Sequence, residues 1–292
     1  MSKFILSTDT CCDEFKCKLD EENISYIPMS YICEDEVFQD KSNCLEDYEK
    51  FYNDMKNGKI FSTTGLNAFE IREYFENLIK KYNSDILHIC LSSGLSGTYN
   101  IVQTAADEIN ENSEHKIYVF DSLSATQVQN LLLKFAKNLR DNGLTAKEAL
   151  GKLTAEVQHF FAYFFLNDLD ALKRGGRISG MQAMMGKALQ LRPLLTFDSD
   201  GKLRVIEKII GTKKAIKTLF DKFVSQYDET SPCPIQLAFA GENYVTDLRK
   251  RIIEKFPNAN IQEGPVGPPL FLASHTAPAL TAVIFYSKEK RI

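Results

Sequence analysis

The chain has 292 residues, of which 44% are hydrophobic and 25% are charged, and its formal net charge is −4. This length and balance suit one large core or two ordinary ones, so we expect two domains and no extended disorder. The short, scattered basic clusters argue against a nucleic-acid surface, because neutralising phosphates requires lysines and arginines gathered on one face.

Neither a membrane anchor nor a cysteine framework is indicated. No run of about 18 apolar residues exists, and Met1–Asp20 carries several charges, so neither a membrane span nor a signal peptide fits and we expect a cytoplasmic protein. The seven cysteines form an odd, scattered set that predicts reduced thiols. Cys11, Cys12 and Cys17 lack a second Cys or His pair at metal-finger spacing, so we expect no metal site.

The first predicted strand is Lys3–Ser7, which is followed by the polar residues Thr8–Thr10. Open α/β sheets bind ligands at the carboxyl ends of their strands, so these residues are candidates for one wall of a site. The alternative is that one of them caps the next helix. Tyr26–Ile32 predicts a second strand, and a polar segment and an amphipathic stretch around Leu45–Met55 follow.

Phe61–Gly65 places three hydroxyl groups in a predicted loop before a helix. Asn67 and Glu70 have the spacing of a capping box, which fixes where that helix starts. Because Thr63 and Thr64 come before the cap, they are free to face a ligand.

Ile86–Tyr99, with the sequence ILHICLSSGLSGTY, combines a buried strand, a Ser/Gly-rich turn and the start of a helix. Backbone N–H groups and hydroxyls converge at such a helix N-terminus, which favours an anion such as phosphate or carboxylate. The candidate binding residues of this turn are Ser92, Ser93, Gly97 and Thr98.

Lys116–Phe120 predicts the next strand, which ends in Asp121 and Ser122, and a long helix then stops at Gly143. Strands that alternate with helices of a dozen or more residues predict right-handed βαβ units and a parallel sheet. The first half is therefore expected to be a Rossmann-like, mostly parallel sheet with helices on both faces. The polar turns at its strand ends should converge.

A capping box at Thr145 and Glu148 starts a helix that runs to about Gln158. We place the domain change near its end, which gives an α/β domain over residues 1–157 and a second domain over residues 158–292. The aromatic strand His159–Leu166 (HFFAYFFL) lacks alternation, as expected for burial on both faces. Its aromatic residues either form core or line a lipid tunnel.

Asp168–Arg177 predicts a short helical turn that ends in two glycines and an arginine. Arg177 either aims a planar guanidinium group at a carboxylate or phosphate, or is a surface arginine after a helix C-cap. The methionines of Ile178–Leu191 suit an irregular apolar surface or a core.

The remaining segments predict a different architecture. Leu194–Phe197 and Leu203–Ile209 flank an Asp-Gly turn, which predicts a β-hairpin and therefore an α+β domain with a mixed or antiparallel sheet. Two helices and three strands follow, over Thr212–Tyr227, Pro234–Phe239, Tyr244–Phe256, Ala259–Gln262 and Thr281–Tyr286. The Gly/Pro-rich loop Gly264–Pro278 carries His275, which is either structural or a donor to an anion.

Taken in order, the TDT cluster, the hydroxyl-bearing loop, SSGLSGTY, FDS, LKRGGRIS and SHTAP resemble the DegV family over the whole chain. The resemblance implies a bacterial lipid-binding protein that holds one long-chain fatty acid in a tunnel between two domains. It places Thr63, Thr64, Ser92 and Ser93 on the carboxylate, with Arg177 and His275 closing the mouth from the second domain. It implies no catalytic residue and no cofactor other than the bound fatty acid.

Some members of that family act as binding subunits of a fatty-acid kinase. This chain has Ile210 where the resemblance implies an arginine for docking the kinase, which counts against such a partner. The closing loop reads His275-Thr276-Ala277-Pro278-Ala279 in place of HxGPG.

Two other functions stay open. A serine-dependent acyl hydrolase would use Ser92 or Ser93 with His275, although no G-x-S-x-G motif is present. A protein that binds a phosphorylated small molecule would use the same anion site, although the phosphate-loop motif of nucleotide-binding proteins is missing.

Overall fold

The computed structural model describes residues 4–41, 45–167, 169–177, 190–241, 243–266, 268–276 and 280–292. Within these residues the chain forms a four-stranded sheet, a three-stranded sheet and a six-stranded sheet. The methionine-rich part of Ile178–Leu191, which we expected to be apolar surface or core, lies almost wholly outside the described residues.

The strands of the first half are β1 (Ile5–Asp9), β2 (Ile24–Ile27), β3 (Met29–Cys33), β4 (Glu36–Asp40), β5 (Phe61–Thr64), β6 (Ile86–Cys90) and β7 (Ile117–Asp121). Its helices are α1 (Lys16–Glu21), α2 (Leu45–Lys56), α3 (Ala68–Tyr82), α4 (Thr98–Asn112), α5 (Thr126–Asp141) and α6 (Ala146–Glu156). The strands of the second half are β8 (Phe160–Leu166), β9 (Leu191–Phe197), β10 (Leu203–Ile210), β11 (Ile235–Ala240), β12 (Ile261–Val266) and β13 (Leu280–Tyr286). Its helices are α7 (Asp170–Arg174), α8 (Thr212–Gln226), α9 (Val245–Lys255) and α10 (Leu270–Ala273).

The four-stranded sheet is entirely parallel, in the order β2-β1-β6-β7, as the alternation of strands and helices predicts. Neighbouring residues of β1 show that helices cover both faces, because successive side chains of a strand point to opposite sides. The hydroxyl of Ser7 lies 2.7 Å from the hydroxyl of Tyr74 on α3. The hydroxyl of Thr8 accepts a hydrogen bond from Gln129 on α5 at 3.2 Å.

The three-stranded antiparallel sheet corrects two predictions. The single strand expected over Tyr26–Ile32 is two strands in different sheets, and Pro28 stands between them, where it offers no N–H group to a ladder. The hydroxyl-bearing segment after Phe61 is not a loop but strand β5, whose Thr63 pairs with Tyr31 of β3. Strand β4 is exposed at four of its five positions, and its apolar residues Val37 and Phe38 are adjacent instead of alternating, so the sequence carries no strand signal there.

The six-stranded sheet has the order β10-β9-β8-β13-β11-β12, in which only the pair of β11 and β12 is parallel. The predicted hairpin of β9 and β10 is confirmed, with Phe197 opposite Leu203. The predicted two-domain α/β architecture, with a parallel sheet first and a mixed sheet second, is thus confirmed.

The aromatic strand β8 separates two apolar layers. Phe161 and Tyr163 pack with Leu219 and Phe223 of α8 in one buried cluster. Ala162 and Phe164 belong to a second cluster that continues into the first half of the chain. The faces of β8 are therefore both buried, as its lack of alternation predicts.

The described cysteines are free thiols, which agrees with the prediction of reduced cysteines for that part of the chain. No helix in the ranges given above is long and apolar enough to cross a membrane.

Candidate functional site

The polar turns after β1, β6 and β7 meet at the carboxyl edge of the parallel sheet. Asp9 accepts a hydrogen bond from the backbone N–H of Leu91 at 2.7 Å. Asp121 accepts one from the N–H of Ser93 at 3.2 Å. The predicted convergence is therefore present, and hydrogen bonds from the turn after β6 to the last residues of β1 and β7 hold it in place.

Asp9 acts as a buried cap. Its carboxylate also accepts hydrogen bonds from the N–H of Cys11 at 3.0 Å and from the Gln129 side chain at 3.0 Å. Burial raises the pKa of Asp9, and the hydrogen bonds from Leu91, Gln129 and Cys11 oppose that rise. Of the two interpretations of Thr8–Thr10, the structure favours the helix cap, since these side chains bond inside the fold.

Asp9, His88 and Cys90 bring potential metal ligands within 4.8 Å of one another, and all three are buried. The carboxylate of Asp9 already accepts three N–H donors. Nδ1 of His88 lies 2.9 Å from the Ser7 hydroxyl. These contacts already occupy both Asp9 oxygens and one His88 nitrogen. We therefore assign these side chains a role in hydrogen bonding within the fold.

Ser92 and Ser93 have different surroundings in the SSGLSGTY turn. Ser92 is fully buried, donates from its hydroxyl to the carbonyl oxygen of Gly201 at 2.9 Å and accepts from the N–H of Gly94 at 3.1 Å. Ser93 is exposed. The buried serine thus connects the parallel sheet to the hairpin turn of the six-stranded sheet.

This connection requires glycine on both sides. A Cβ atom at Gly94 would lie 2.5 Å from the carbonyl oxygen of Asp200. Gly201 has a φ of +72°, and a Cβ atom there would meet the Ser92 hydroxyl and lie 2.8 Å from the Cα of Leu123. The two turns therefore approach each other more closely than residues with side chains allow.

Gly97 and Thr98 form the start of α4. Gly97 is exposed at the N-cap position, and Thr98 is buried as the first residue of the helix. The Thr98 hydroxyl lies 2.9 Å from the hydroxyl of Ser96. The two hydroxyls hold the last part of the turn against the helix.

Thr63 and His275 join the three-stranded sheet to the loop after α10. The Thr63 hydroxyl lies 2.9 Å from Nε2 of His275. Burial, and secondarily the charge of Arg177, lower the pKa of His275 to about 4, so its imidazole is neutral at pH 7. Thr64 is half-buried and pairs with Ser30 across the sheet.

Arg177 reaches the SSGLSGTY turn from the second half of the chain. Its Nε donates to the carbonyl oxygen of Leu95 at 3.3 Å, and a terminal nitrogen donates to the carbonyl oxygen of Gly175. Its positive charge contributes to the lowered pKa of His275. The pair supplies one permanent cation and one neutral imidazole at the same place.

A cavity of about 90 Å³ lies between the parallel sheet and the six-stranded sheet, and both Arg177 and His275 line it. Its walls are mostly apolar and include Leu91, Phe164 and Ala282. Strand β8 packs in the core through Phe161 and Tyr163 on one face, and Ala162 and Phe164 on the other face line the cavity.

The other candidate residues stand outside this lining. Thr63 reaches it through His275, Ser92 is bonded to Gly201, and Thr64, Ser93, Gly97 and Thr98 lie in the adjoining strand and turn. Four polar residues that sequence reasoning did not select do line the cavity, and they are Asp13, Ser96, Thr126 and Thr276. Ser96 and Thr276 stand within the SSGLSGTY and SHTAP motifs, whereas no sequence signal distinguished Asp13 and Thr126.

Comparison with known proteins gives consistent results along the whole chain. A family model for DegV proteins matches residues 3–288. The chain is 30% identical to a DegV domain-containing protein of Clostridium perfringens over 99% of both chains. It is 27% identical to one of Lactococcus lactis, again over 99% of both.

Solved structures share the fold. A DegV lipid-binding protein from Thermotoga maritima has a TM-score of 0.81 and 23% identity, with 99% of this chain and 100% of that chain covered. DegV from Bacillus subtilis, a fatty acid binding protein, has a TM-score of 0.82 and 24% identity, with 99% and 100% covered. The fatty acid kinase B3 protein of Streptococcus pneumoniae, loaded with linoleic acid, has a TM-score of 0.82 and 22% identity, with 98% and 99% covered.

Proposed function

The chain belongs to the DegV family, and on that premise we propose that it binds one long-chain fatty acid between its two large sheets and serves as a lipid carrier. The observation that carries this proposal is the cavity, whose walls are apolar and whose polar residues include Arg177 and His275. An apolar cavity with a few converging polar groups is the usual form of a small-molecule site. No cofactor is needed for such a role.

Arg177 and His275 suit the carboxylate of a fatty acid. A guanidinium group makes charge-assisted hydrogen bonds to a carboxylate, which are about twice as strong as neutral ones. The neutral imidazole of His275 adds a donor without adding charge, and its contact with Thr63 fixes the ring. Thr64, Ser93, Gly97 and Thr98 adjoin this group and remain proposed contacts of the head group.

The acyl chain would supply most of the affinity, since each buried CH₂ group contributes about 0.8 kcal/mol. The cavity of about 90 Å³ is smaller than typical ligand sites, which measure about 300–1,000 Å³. The lining side chains, among them Leu172 and Phe271, must therefore move apart when an acyl chain enters. We expect ligand binding to be accompanied by a change in their packing.

Identification of the bound lipid tests the proposal. Protein purified from its native source or from a bacterial host is denatured and extracted, and the extract is analysed by mass spectrometry. We expect one long-chain fatty acid per chain and saturable rebinding of octadecanoic acid after delipidation. Absence of a fatty acid from the extract together with no rebinding would refute the proposal.

The geometry disfavours an acyl hydrolase that uses Ser92 as its nucleophile. The Ser92 hydroxyl donates to the carbonyl oxygen of Gly201, and Nε2 of His275 faces Thr63. A serine nucleophile needs a histidine within hydrogen-bond reach to accept its proton. Ser92 and His275 are each engaged elsewhere.

A fatty-acid kinase to which the chain would present its bound acyl chain is considered separately, because Ile210 counts against such a partner. Ile210 of β10 is 65% exposed, so an apolar side chain stands where the family resemblance implies an arginine. We expect weak capture of a fatty-acid kinase by the wild-type chain and stronger capture by Ile210→Arg. Equal, strong capture by both chains would show that Ile210 does not limit the partnership.

A further inference from the structure

Asp13 brings a carboxyl group to the wall of the cavity. It follows the short helical turn after β1, in the left-handed conformation with a φ of 57°, and only 1% of it is exposed. Its Oδ1 atom is buried and has no hydrogen-bond partner in the described part of the chain. An unpaired polar atom in such a place is unfavourable, so native proteins seldom keep one without a role.

Burial disfavours the charged form of the Asp13 carboxyl group. Burial raises its pKa well above the usual range, Glu14 and Asp40 raise it further, and Gln127 lowers it in part. Gln127 also donates to the backbone oxygen of Asp13 at 2.7 Å, which holds the residue against the start of α5. A carboxyl group accepts a hydrogen bond from an alcohol in either protonation state, and its protonated form also donates one.

Asp13 and His275 belong to different electrostatic surroundings in one cavity. The charge that acts on His275 is that of Arg177, whereas the charges that act on Asp13 are those of Glu14 and Asp40. A bound carboxylate would be attracted to Arg177, whereas the lysines beside Glu14, which are Lys18 and Lys134, are already paired with it at 3.7 Å. The region of Asp13 therefore suits an uncharged part of the ligand.

Thr126 lies in the same cavity wall, at the first residue of α5. Its φ of 55° is unfavourable for a β-branched residue, and such strain is concentrated at functional sites. The lining residues contributed by the strands of the six-stranded sheet include Ala238, Ala282 and Ile284, whose side chains are apolar. Asp13 and Thr126 thus form a polar spot within an apolar surface.

We propose that Asp13 and Thr126 bind a hydroxyl group carried within the acyl chain, so that the preferred ligands are fatty acids oxygenated along the chain. This inference rests on the proposed binding of fatty acids and specifies their class. The hydroxyl group of the ligand pairs with Asp13 while the ligand's carboxylate pairs with Arg177, which fixes both the depth and the direction of the bound chain.

A ligand series tests the inference on the delipidated wild-type chain. Affinities are measured by displacement of a fluorescent fatty acid, for octadecanoic acid and for octadecanoic acids with one hydroxyl group at successive mid-chain carbons. We expect at least one hydroxylated isomer to bind about tenfold more tightly than octadecanoic acid. Binding of octadecanoic acid without preference for any isomer overturns the inference alone, whereas no binding of either class refutes the proposed function as well.

Variants of Asp13 and Thr126 test which residues cause the preference for a hydroxylated acyl chain. In each variant, the affinity for the hydroxylated isomer is divided by the affinity for octadecanoic acid. An effect of the substitution that weakens both affinities equally does not change this ratio. Asp13→Leu should remove the preference, and Asp13→Asn should keep it, since an amide also bonds a hydroxyl group and asparagine tolerates positive φ. Thr126→Val keeps the shape of the side chain and should reduce the preference, whereas Thr154→Val, on the exposed face of α6, should not.

Two variants are used so that the preference can still be measured when one of them does not fold. An unchanged preference in both Asp13→Leu and Thr126→Val overturns the inference. If Asp13→Leu does not fold, an unchanged preference in Thr126→Val overturns it instead.

Discussion

The hydroxyl of Thr63 lies 2.9 Å from Nε2 of His275, although the two residues are 212 positions apart in the chain. Thr63 stands on a strand of the small antiparallel sheet, and His275 follows a helix of the second half. Through this contact the first half of the chain orients a residue that lines the cavity.

Replacing Thr63 by valine should weaken fatty-acid binding. The substitution keeps the shape of the side chain but removes the partner of His275, so we expect a loss of affinity of about tenfold. Titration of octadecanoic acid by calorimetry measures this loss. Ser62→Ala, at the exposed neighbouring position, is the control, and an equal effect of both variants would contradict the role of Thr63.

Replacing Arg177 by methionine should remove the charge-assisted bond to the carboxylate. We expect binding of octadecanoic acid to weaken by about tenfold to a hundredfold, and binding of its methyl ester to stay unchanged, because the ester carries no charge. Arg174→Met, at the exposed end of α7, is the matched control. A similar loss for acid and ester would assign Arg177 to packing instead.

Ser92 should contribute mainly to the stability of the fold, and Ser93 mainly to fatty-acid binding. Ser92→Ala leaves the Gly201 carbonyl without its donor, so we expect the free energy of unfolding to fall by about 1–3 kcal/mol. Ser93→Ala, at an exposed position, should change it by less than about 0.5 kcal/mol while lowering affinity for the fatty acid. Urea denaturation and calorimetric titration of both variants measure the two effects. The reverse pattern would place the head group on Ser92.

Substitution of Gly201 by alanine should destabilise the fold more than the same substitution at Gly143, which has similar backbone geometry but open space around it. Gly201 and Gly143 have φ values of +72° and +83°, but only at Gly201 would a Cβ atom collide with other residues. We expect Gly143→Ala to destabilise the fold by about 1 kcal/mol and Gly201→Ala by at least about 2 kcal/mol more. If urea denaturation gave equal losses of stability for Gly143→Ala and Gly201→Ala, the two turns could move apart around the added side chain at no further cost in stability.

Acid should destabilise the fold partly through His88. Burial lowers the pKa of this residue from 6.5 to about 3, so the unfolded chain binds a proton that the folded chain refuses. The free energy of unfolding therefore falls as the pH drops between those values, by up to about 1.4 kcal/mol per pH unit. His275 acts in the same direction, whereas Asp9 and Asp13, whose pKa values are raised, act in the opposite one.

The contribution of His88 is isolated by comparison with His88→Gln. The variant should be less stable at pH 7 but should lose less stability on acidification than the wild type. Urea denaturation at a series of pH values measures both slopes. Identical slopes would show that His88 is not protonated during acid unfolding.

The parallel sheet and the hairpin of β9 and β10 were predictable because their signals are local. Apolar runs, capping residues such as Thr145 and Glu148, and the Asp-Gly turn each act over a few residues. The domain boundary near residue 157 stays a prediction. Strand β5 was missed because its polar residues form a strand only by pairing with β3.

The sequence by itself determined the fold class, the motifs of the polar turns and the family, since periodicity, capping and motif spacing are properties of neighbouring residues. Only the tertiary structure decided what each polar side chain does. It bonded Ser92 to Gly201, brought Thr63 to His275, and placed Asp13 and Thr126 on the wall of the cavity. These contacts join residues distant in the chain, and they arise from how the two sheets pack, which no short stretch of sequence encodes.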